Sequence, residues 1–344
     1  MHVGLKTRIL PAGAAATAAA SQVLAEGGLV AFPTETVYGL GADARSAHAV
    51  RKIFAAKGRP ADHPVIVHLA SVDEVAQWAR EAPHAAQRLM HHFWPGPLTL
   101  ILQRASGVID EVTGGQNTVG LRVPSHPLAQ TLLRAFGGGI AAPSANRFGR
   151  ISPTTAAHVH EELGDAVDLV LDGGACDVGI ESTIVDFSTG TPRLLRPGGI
   201  AVNELEAVMQ LAVGRADVHS PRASGTLLAH YAPVARMLLV APDELEQTLG
   251  KYAREMDTVA VVARRTAPRE GIAGRWHVAA TDAQTYAHDL YATLRTLDRA
   301  GFRLLLVELP PEGPQWEAVR DRLQRAATGS RRLDTQSDLS DDVP

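Results

Sequence analysis

Phe32-Pro33-Thr34-Glu35-Thr36-Val37-Tyr38-Gly39-Leu40-Gly41 places two hydroxyls, a carboxylate, a phenol and two glycines directly behind the apolar run 29–32. A short apolar run of this kind reads as a buried strand. The residues after it read as a loop at the strand end, where backbone amides and hydroxyls can approach a small polar ligand closely. Taken alone, the same stretch also fits a tight turn that needs its glycines. Upstream, residues 14–26 read as a helix closed by Gly27-Gly28, because glycine takes the positive φ common past a helix end.

Downstream the pattern repeats. Residues 47–56 read as a helix stopped by Lys57-Gly58-Arg59-Pro60, since glycine and proline both end helices. Strands are expected at 65–69, 98–102, 119–123, 140–142, 169–171 and 183–187. Helices are expected at 72–78, 85–93, 127–136, 155–163 and 203–213, the last with Asn203 as its N-cap. Strands that alternate with helices but sometimes follow one another directly predict an α/β (α+β) domain, a mixed sheet with helices packed on it.

Residues 214–233 lack a steady period and read as a linker, although Leu227, Leu228 and Tyr231 are apolar enough to dock on a surface. A smaller α/β unit follows, with strands at 237–240, 259–263 and 303–307 and a helix at 242–249. A long helix in it carries Ala287, Leu290, Tyr291, Leu294 and Leu297 on one face. Residues 328–344 are nearly free of large apolar side chains and are expected to be a disordered tail. The expected division is therefore 1–213, 214–233, 234–327 and 328–344.

A length of 344 residues suits two domains with a sizeable core, and 45% hydrophobic with 20% charged residues excludes a wholly disordered chain. A net charge of −4 and a pI near 6.4 argue against a dedicated nucleic-acid binder, so any contact with nucleic acid is expected to be local or indirect. The single cysteine, Cys176, excludes an intramolecular disulfide and a cysteine-rich zinc site. Apolar runs are too short to span a bilayer, and the alanine-rich start, broken by Thr17, does not read as a signal peptide. A cytoplasmic location is the resulting expectation.

Several residues invite chemistry. Lys57 and Arg59 offer a compact charge and a planar fork suited to polyphosphate, although a lone K-G-R also fits a solvated helix end. No P-loop, no G-x-S-x-G elbow and no paired metal-ligand spacing among the fourteen histidines is found. Ser144 and Asn146 follow a strand, where such residues orient ligands or begin turns. Arg122 lies in the apolar strand Val119-Gly120-Leu121-Arg122-Val123. Burying that charge demands a partner anion.

Order and spacing say more than any one motif. PTETVYGLG, KGRPADHPVIVH, NTVGLRVP, APSAN, ESTIVD and RPGG, in that order, resemble the YrdC family throughout residues 10–213. The resemblance continues through 224–233 and the α/β unit beyond, as in the two-domain L-threonylcarbamoyladenylate synthases of that family. It implies a twisted mixed sheet with a concave active-site cleft, followed by a smaller Rossmann-like domain. The implied reaction joins L-threonine, bicarbonate or CO2 and ATP into threonylcarbamoyl-AMP, releasing pyrophosphate, with Mg2+ carried by ATP and none held by protein side chains. Other proteins would then transfer the threonylcarbamoyl group to tRNA.

The family's K-x-R and S-x-N signature falls on Lys57, Arg59, Ser144 and Asn146, the implied catalytic set. The family pattern assigns threonine to Thr36, His68, Arg122, Ser182 and the backbone near Ala142. It assigns ATP to Lys57, Arg59, His63, Thr118, Ser144, Asn146, Ser152, Arg196 and Tyr231. Two departures stand out: His63 occupies a place where many relatives have Asn, and Ser224-Gly225-Thr226-Leu227 replaces S-P-G-M. The linker is expected to close over the cleft, excluding water from the mixed anhydride, with Tyr231 on the nucleotide. A hydrogenase-maturation relative would require cysteine-rich zinc fingers, which a single-cysteine chain lacks.

Overall fold

The computed structural model describes residues 8–265 and 275–337. The chain separates into two compact units. One comprises Met1–Phe148 with Ser152–Thr226, and the other Gly149–Ile151 with Leu227–Pro344.

Among the described residues the first unit holds eleven strands: β1 (Arg8–Pro11), β2 (Val30–Phe32), β3 (Gly39–Asp43), β4 (Ile66–His68), β5 (Leu98–Gln103), β6 (Thr118–Arg122), β7 (Ile140–Ala141), β8 (Leu169–Asp172), β9 (Thr183–Asp186), β10 (Arg193–Arg196) and β11 (Gly214–Arg215). They form one mixed sheet in the order β1-β8-β2-β3-β7-β4-β6-β5-β9-β10-β11. Four of these strands, β1, β3, β10 and β11, were not expected. β1 is a short, exposed edge strand beside β8, too polar at its start to show an apolar run. β3 occupies part of the stretch read as a ligand loop: it folds back antiparallel on β2, with Val30 opposite Gly41 and Phe32 opposite Gly39.

The glycines of that stretch therefore serve packing within the sheet. A Cβ on Gly41 would come within 2.8 Å of Ile140 and Phe32, and one on Gly39 within 3.2 Å of Ala142. Gly58 works by conformation instead, capping the helix Ala47–Lys57 at a φ of 62°. One face of the sheet packs Val67, Leu100, Leu121, Val185 and Leu194 into the main core under the helices Ala47–Lys57 and His84–Phe93. The opposite face carries a small apolar cluster of Ile66, Ile101, Ile184 and Leu195, joined by Ala223.

The expected linker is divided between the units. Residues 214–226 stay with the first: Gly214 pairs with Arg193, and Arg222 donates to the Gly114 carbonyl (2.9 Å) while its amide donates to Gln116 (2.7 Å). Residues 227–233 fold with the second, where the Ala232 amide donates to the Gly149 carbonyl (2.8 Å). Its anchors are side-chain and backbone hydrogen bonds that leave no period in the sequence. The helix expected at 203–213 is Val202–Met209, and Glu204, rather than Asn203, satisfies the exposed amide end by accepting from Ala201 (2.8 Å).

The second unit adds β12 (Arg236–Val240), β13 (Val259–Ala263), β14 (Trp276–Val278) and β15 (Leu304–Glu308), all parallel, in the order β12-β15-β13-β14. This is a Rossmann-like sheet with helices Leu245–Lys251, Ala283–Arg299 and Glu317–Ser337. The last of these corrects the expected tail. Residues 328–337 complete a helix in which Ala326, Ala327 and Ser330 are buried, because small residues pack where large ones were sought. Residues 338–344 of that expected tail lie outside the described residues.

Candidate active site

Strand alternation gathers the site. Side chains two apart in a strand share a face, so Ile66 with His68, Thr118 with Arg122, Thr99 with Ile101, and Ser182 with Ile184 emerge on the face opposite the main core. His68 lies in register with Arg122 across β4 and β6. Ser182 and Thr99 share a hydrogen bond of 2.8 Å. Gly120, between Thr118 and Arg122, has no side chain, and Ile101 and Ile66 close over it, 3.1 and 3.5 Å from where a Cβ would stand.

The anion that Arg122 requires is Glu35, from the opening motif. The Arg122 Nη2 lies 2.7 Å from the Glu35 carboxylate, and both side chains are buried, at 4% and 6% exposure. Arg122 also donates to Thr36 Oγ1 (2.9 Å) and the Gly96 carbonyl (3.3 Å). The other Glu35 oxygen accepts the Ser125 amide (3.1 Å). Thr34 donates to the Val37 carbonyl (2.6 Å) and its hydroxyl lies 2.8 Å from that of Thr36, closing the turn between β2 and β3. A short connection thus presents Thr36 and Glu35 to one arginine.

His68 is buried and packs edge-on against Phe32, 6.0 Å between ring centres. Burial first, then the adjacent Arg122 charge, hold its imidazole down to about 3. It is therefore neutral at physiological pH. Unfolded, it would take up a proton near pH 6.5. The unfolded chain binds the extra proton between these values, so the contribution is complete above about pH 6.5 and is lost as pH falls toward 3. A His68→Asn chain is expected to lose less stability than the parent between about pH 6.5 and 4.5, read from urea midpoints. Parallel midpoints would refute a buried neutral imidazole.

The second cluster surrounds the loop after β7. The Lys57 ammonium, 3% exposed, donates to the carbonyls of Ser144 (2.6 Å) and Asn146. Burial, reinforced by Arg59, pulls its pKa well below the usual lysine value. Arg59 donates to the Pro64 carbonyl (2.8 Å) and lies 5.9 Å from the Phe148 ring, against which His63 also packs at 5.4 Å. Burial and then Arg59 lower the His63 pKa. Ser144 bridges to Gly39, joining this loop to the β2–β3 turn. Ala142 is buried and its amide donates to the Ile66 carbonyl (2.9 Å).

On the far side, Arg196 donates through Nε and Nη2 to the Ser182 carbonyl (3.0 and 2.9 Å) and through Nη1 to the Ser224 carbonyl (2.7 Å). Ser152 is fully buried and donates to Glu181 at 2.5 Å. Thirteen of the fourteen expected positions thus belong to the first unit. Tyr231 does not: it is buried in the second, its ring 5.8 Å from Tyr291 and 5.2 Å from the Arg322 guanidinium. Sequence reasoning overlooked Glu35, Glu181 and Thr99 as contributors. The demand of Arg122 for an anion was the signal for Glu35; nothing in the sequence pairs Ser152 with Glu181.

The arrangement can bind a small polar molecule through hydroxyls and a fork, and an anion through the adjacent cations. Two of its buried carboxylates are engaged, Glu35 with Arg122 and Glu181 with Ser152. Among the described residues, no three His, Cys, Asp or Glu side chains lie together as a metal-binding group. Nor is any helix among them long and apolar enough to cross a membrane.

Comparison with known proteins finds two family models along the chain. The Sua5/YciO/YrdC family model, described as "Telomere recombination", matches residues 22–198. The model described as "Threonylcarbamoyl-AMP synthase, C-terminal domain" matches residues 200–328. Threonylcarbamoyl-AMP synthase of Pyrococcus abyssi is 39% identical over 319 residues, covering 90% of this chain and 93% of the relative. The Bacillus subtilis enzyme of the same name is 39% identical over 323 residues, covering 91% and 93%. The crystal structure of P. abyssi Sua5 complexed with L-threonine superposes with a TM-score of 0.87 at 36% identity, covering 94% of this chain and 98% of that one.

Proposed function

The chain belongs to the Sua5/YciO/YrdC family, and from that premise we propose how its residues carry out threonylcarbamoyl-AMP synthesis, the first step of threonylcarbamoyladenosine modification of tRNA. It is an enzyme that joins L-threonine, bicarbonate or CO2 and ATP. The threonine amine becomes a carbamate. A carbamate oxygen then forms a bond to the α-phosphorus of ATP as the bond from that phosphorus to the β-phosphate oxygen breaks and pyrophosphate leaves.

One observation carries the assignment of roles: the buried Arg122–Glu35–Thr36 group shares a sheet face with His68 and Ser182 and is joined through Ser144 to the Lys57 loop. Arg122 anchors the threonine carboxylate, and Thr36, Ser182, neutral His68 and the Ala142 backbone address its hydroxyl and amine. Lys57, Arg59 and Arg196, with His63, Thr118, Ser144, Asn146 and Ser152, receive ATP. Preorganised cations suit a step that concentrates charge on a leaving pyrophosphate. Mg2+ carried on the ATP phosphates would add further charge neutralisation. Tyr231 is assigned to the nucleotide on the family pattern alone. We place the enzyme in the cytoplasm, handing its product to separate transfer proteins and touching tRNA weakly or indirectly.

Pyrophosphate release is expected to require threonine and bicarbonate together. Serine lacks one methyl, worth about 1–3 kcal/mol in a small pocket, so it should react about 10–200-fold less efficiently. Release that ran without an amino acid, or equally fast with alanine, would overturn the reading.

A further inference from the structure

The two hydroxyls assigned to threonine, Thr36 and Ser182, are each tied to a second hydroxyl that the catalytic reading does not use, Thr34 and Thr99. All four residues are buried, at 2% exposure or less. A hydroxyl has one hydrogen to give and two lone pairs to receive with, so its neighbours decide what it has left for a ligand. The Thr34 oxygen lies 2.6 Å from the Val37 carbonyl, a separation that a hydroxyl and a carbonyl hold only with a hydrogen between them. The Thr34 hydrogen is therefore spent, and the 2.8 Å contact between the Thr34 and Thr36 hydroxyls must carry the hydrogen of Thr36. Arg122 Nη1 fills one lone pair of Thr36 (2.9 Å). Thr36 keeps one lone pair and no hydrogen.

Ser182 is set the other way. Its hydroxyl receives Arg196 Nη2 (3.1 Å) and lies 2.8 Å from that of Thr99. Among the described residues the Thr99 hydroxyl has no other hydrogen-bond partner. If Ser182 gave its hydrogen to Thr99, the Thr99 hydrogen would be buried with no acceptor, a costly arrangement that folded proteins avoid. With Thr99 as the donor, both lone pairs of Ser182 are filled. The hydrogen left over is then its own, on the residue that meets the ligand. The Arg196 charge strengthens that hydroxyl as a donor.

We propose that Thr34 and Thr99 are positioning residues that fix the two substrate-facing hydroxyls in opposite senses, Thr36 as an acceptor only and Ser182 as a donor only. Thr36 then takes a hydrogen from the threonine amine or hydroxyl and turns away the carboxylate, which is left to Arg122. Ser182 gives its hydrogen to an oxygen of the carbamate built on the amine. That carbamate is the substrate group that must reach the ATP cations, Arg196 among them. The inference rests on the placing of threonine against Thr36 and Ser182.

The test compares valine and serine at each position in the full chain. Valine keeps the shape and deletes the hydroxyl, whereas serine keeps the hydroxyl and deletes a methyl. Thr34→Val lets the Thr36 hydrogen turn toward the substrate, and is expected to raise the KM for threonine roughly tenfold with kcat little changed. Thr99→Val is expected to lower kcat roughly tenfold with KM little changed, because the carbamate forms only once threonine is bound. In a Ser182→Ala background Thr99→Val should cost nothing further. Thr34→Ser and Thr99→Ser should stay close to the parent. A packing role reverses that order, since a lost methyl then matters more than a lost hydroxyl. The proposal fails if the serine variants are no better than the valine ones, or if the valine variants keep the parent kinetics. Calorimetric titration with L-threonine reads Thr36 without turnover, and Thr34→Val should bind it roughly tenfold more weakly than the parent or Thr34→Ser. Equal binding by the parent and Thr34→Val overturns the proposal alone. A parent chain that bound threonine yet released no pyrophosphate would overturn the catalytic reading instead.

Discussion

Replacing Arg122 by alanine is expected to destabilise the fold by about 3–5 kcal/mol and to abolish threonine-dependent pyrophosphate release. The stability loss follows from removing one partner of a buried ion pair, which strands the other charge. Here the stranded group is Glu35, 6% exposed, left with the Ser125 amide among the described residues. Thr36 loses its donor in the same step. If the pair is the cause, the double variant Arg122→Ala with Glu35→Ala should recover most of the stability while remaining inactive, since the fork for the substrate carboxylate is still missing. Urea unfolding of the three chains, beside a pyrophosphate assay, separates the two effects. An Arg122→Ala chain as stable as the parent would show that the ion pair does not hold this turn. Normal turnover would remove Arg122 from the substrate.

Lys57→Ala is expected to lower turnover at saturating ATP by roughly 10²–10³, the usual cost of losing a preorganised charge contact to the transition state. The fold explains why this lysine differs from a solvated helix end. Its ammonium is buried and holds the carbonyls of Ser144 and Asn146, so the charge also sets the loop that presents Ser144 and Asn146. Losing it leaves two carbonyls short of a donor, at about 1–3 kcal/mol each. Lys57→Arg should not restore activity, because a planar fork cannot replace a compact ammonium between two converging carbonyls. Turnover at the parent rate in Lys57→Ala would return Lys57 to a structural role.

Much of this was legible in the chain itself. Apolar runs and glycine or proline stops located most strands and helices of the first unit to within a residue or two. The helix Pro127–Phe136 and the strand Val259–Ala263 match their expected bounds in full. Six ordered motifs named the family, and the argument that a cation in an apolar strand needs an anion was sound. Local pattern determines these things because strand and helix periods, caps and breakers act over a few residues.

Partners distant in sequence were decided only by tertiary structure. Arg122 is 87 residues from Glu35, and nothing local says which carboxylate will meet it. The same holds for Ser152 with Glu181 and for Lys57 with the Ser144 loop. The stretch Gly39–Gly41 reads as a loop because glycines usually mark one. It becomes a strand because Phe32, Ile140 and Ala142 approach it too closely for any side chain. Residues 214–233 look like a tether because hydrogen bonds, which leave no apolar period, fasten 214–226 to one unit and 227–233 to the other. Sequence records what each residue prefers, whereas burial of charge and polar groups forces choices among partners that only the folded chain brings within reach.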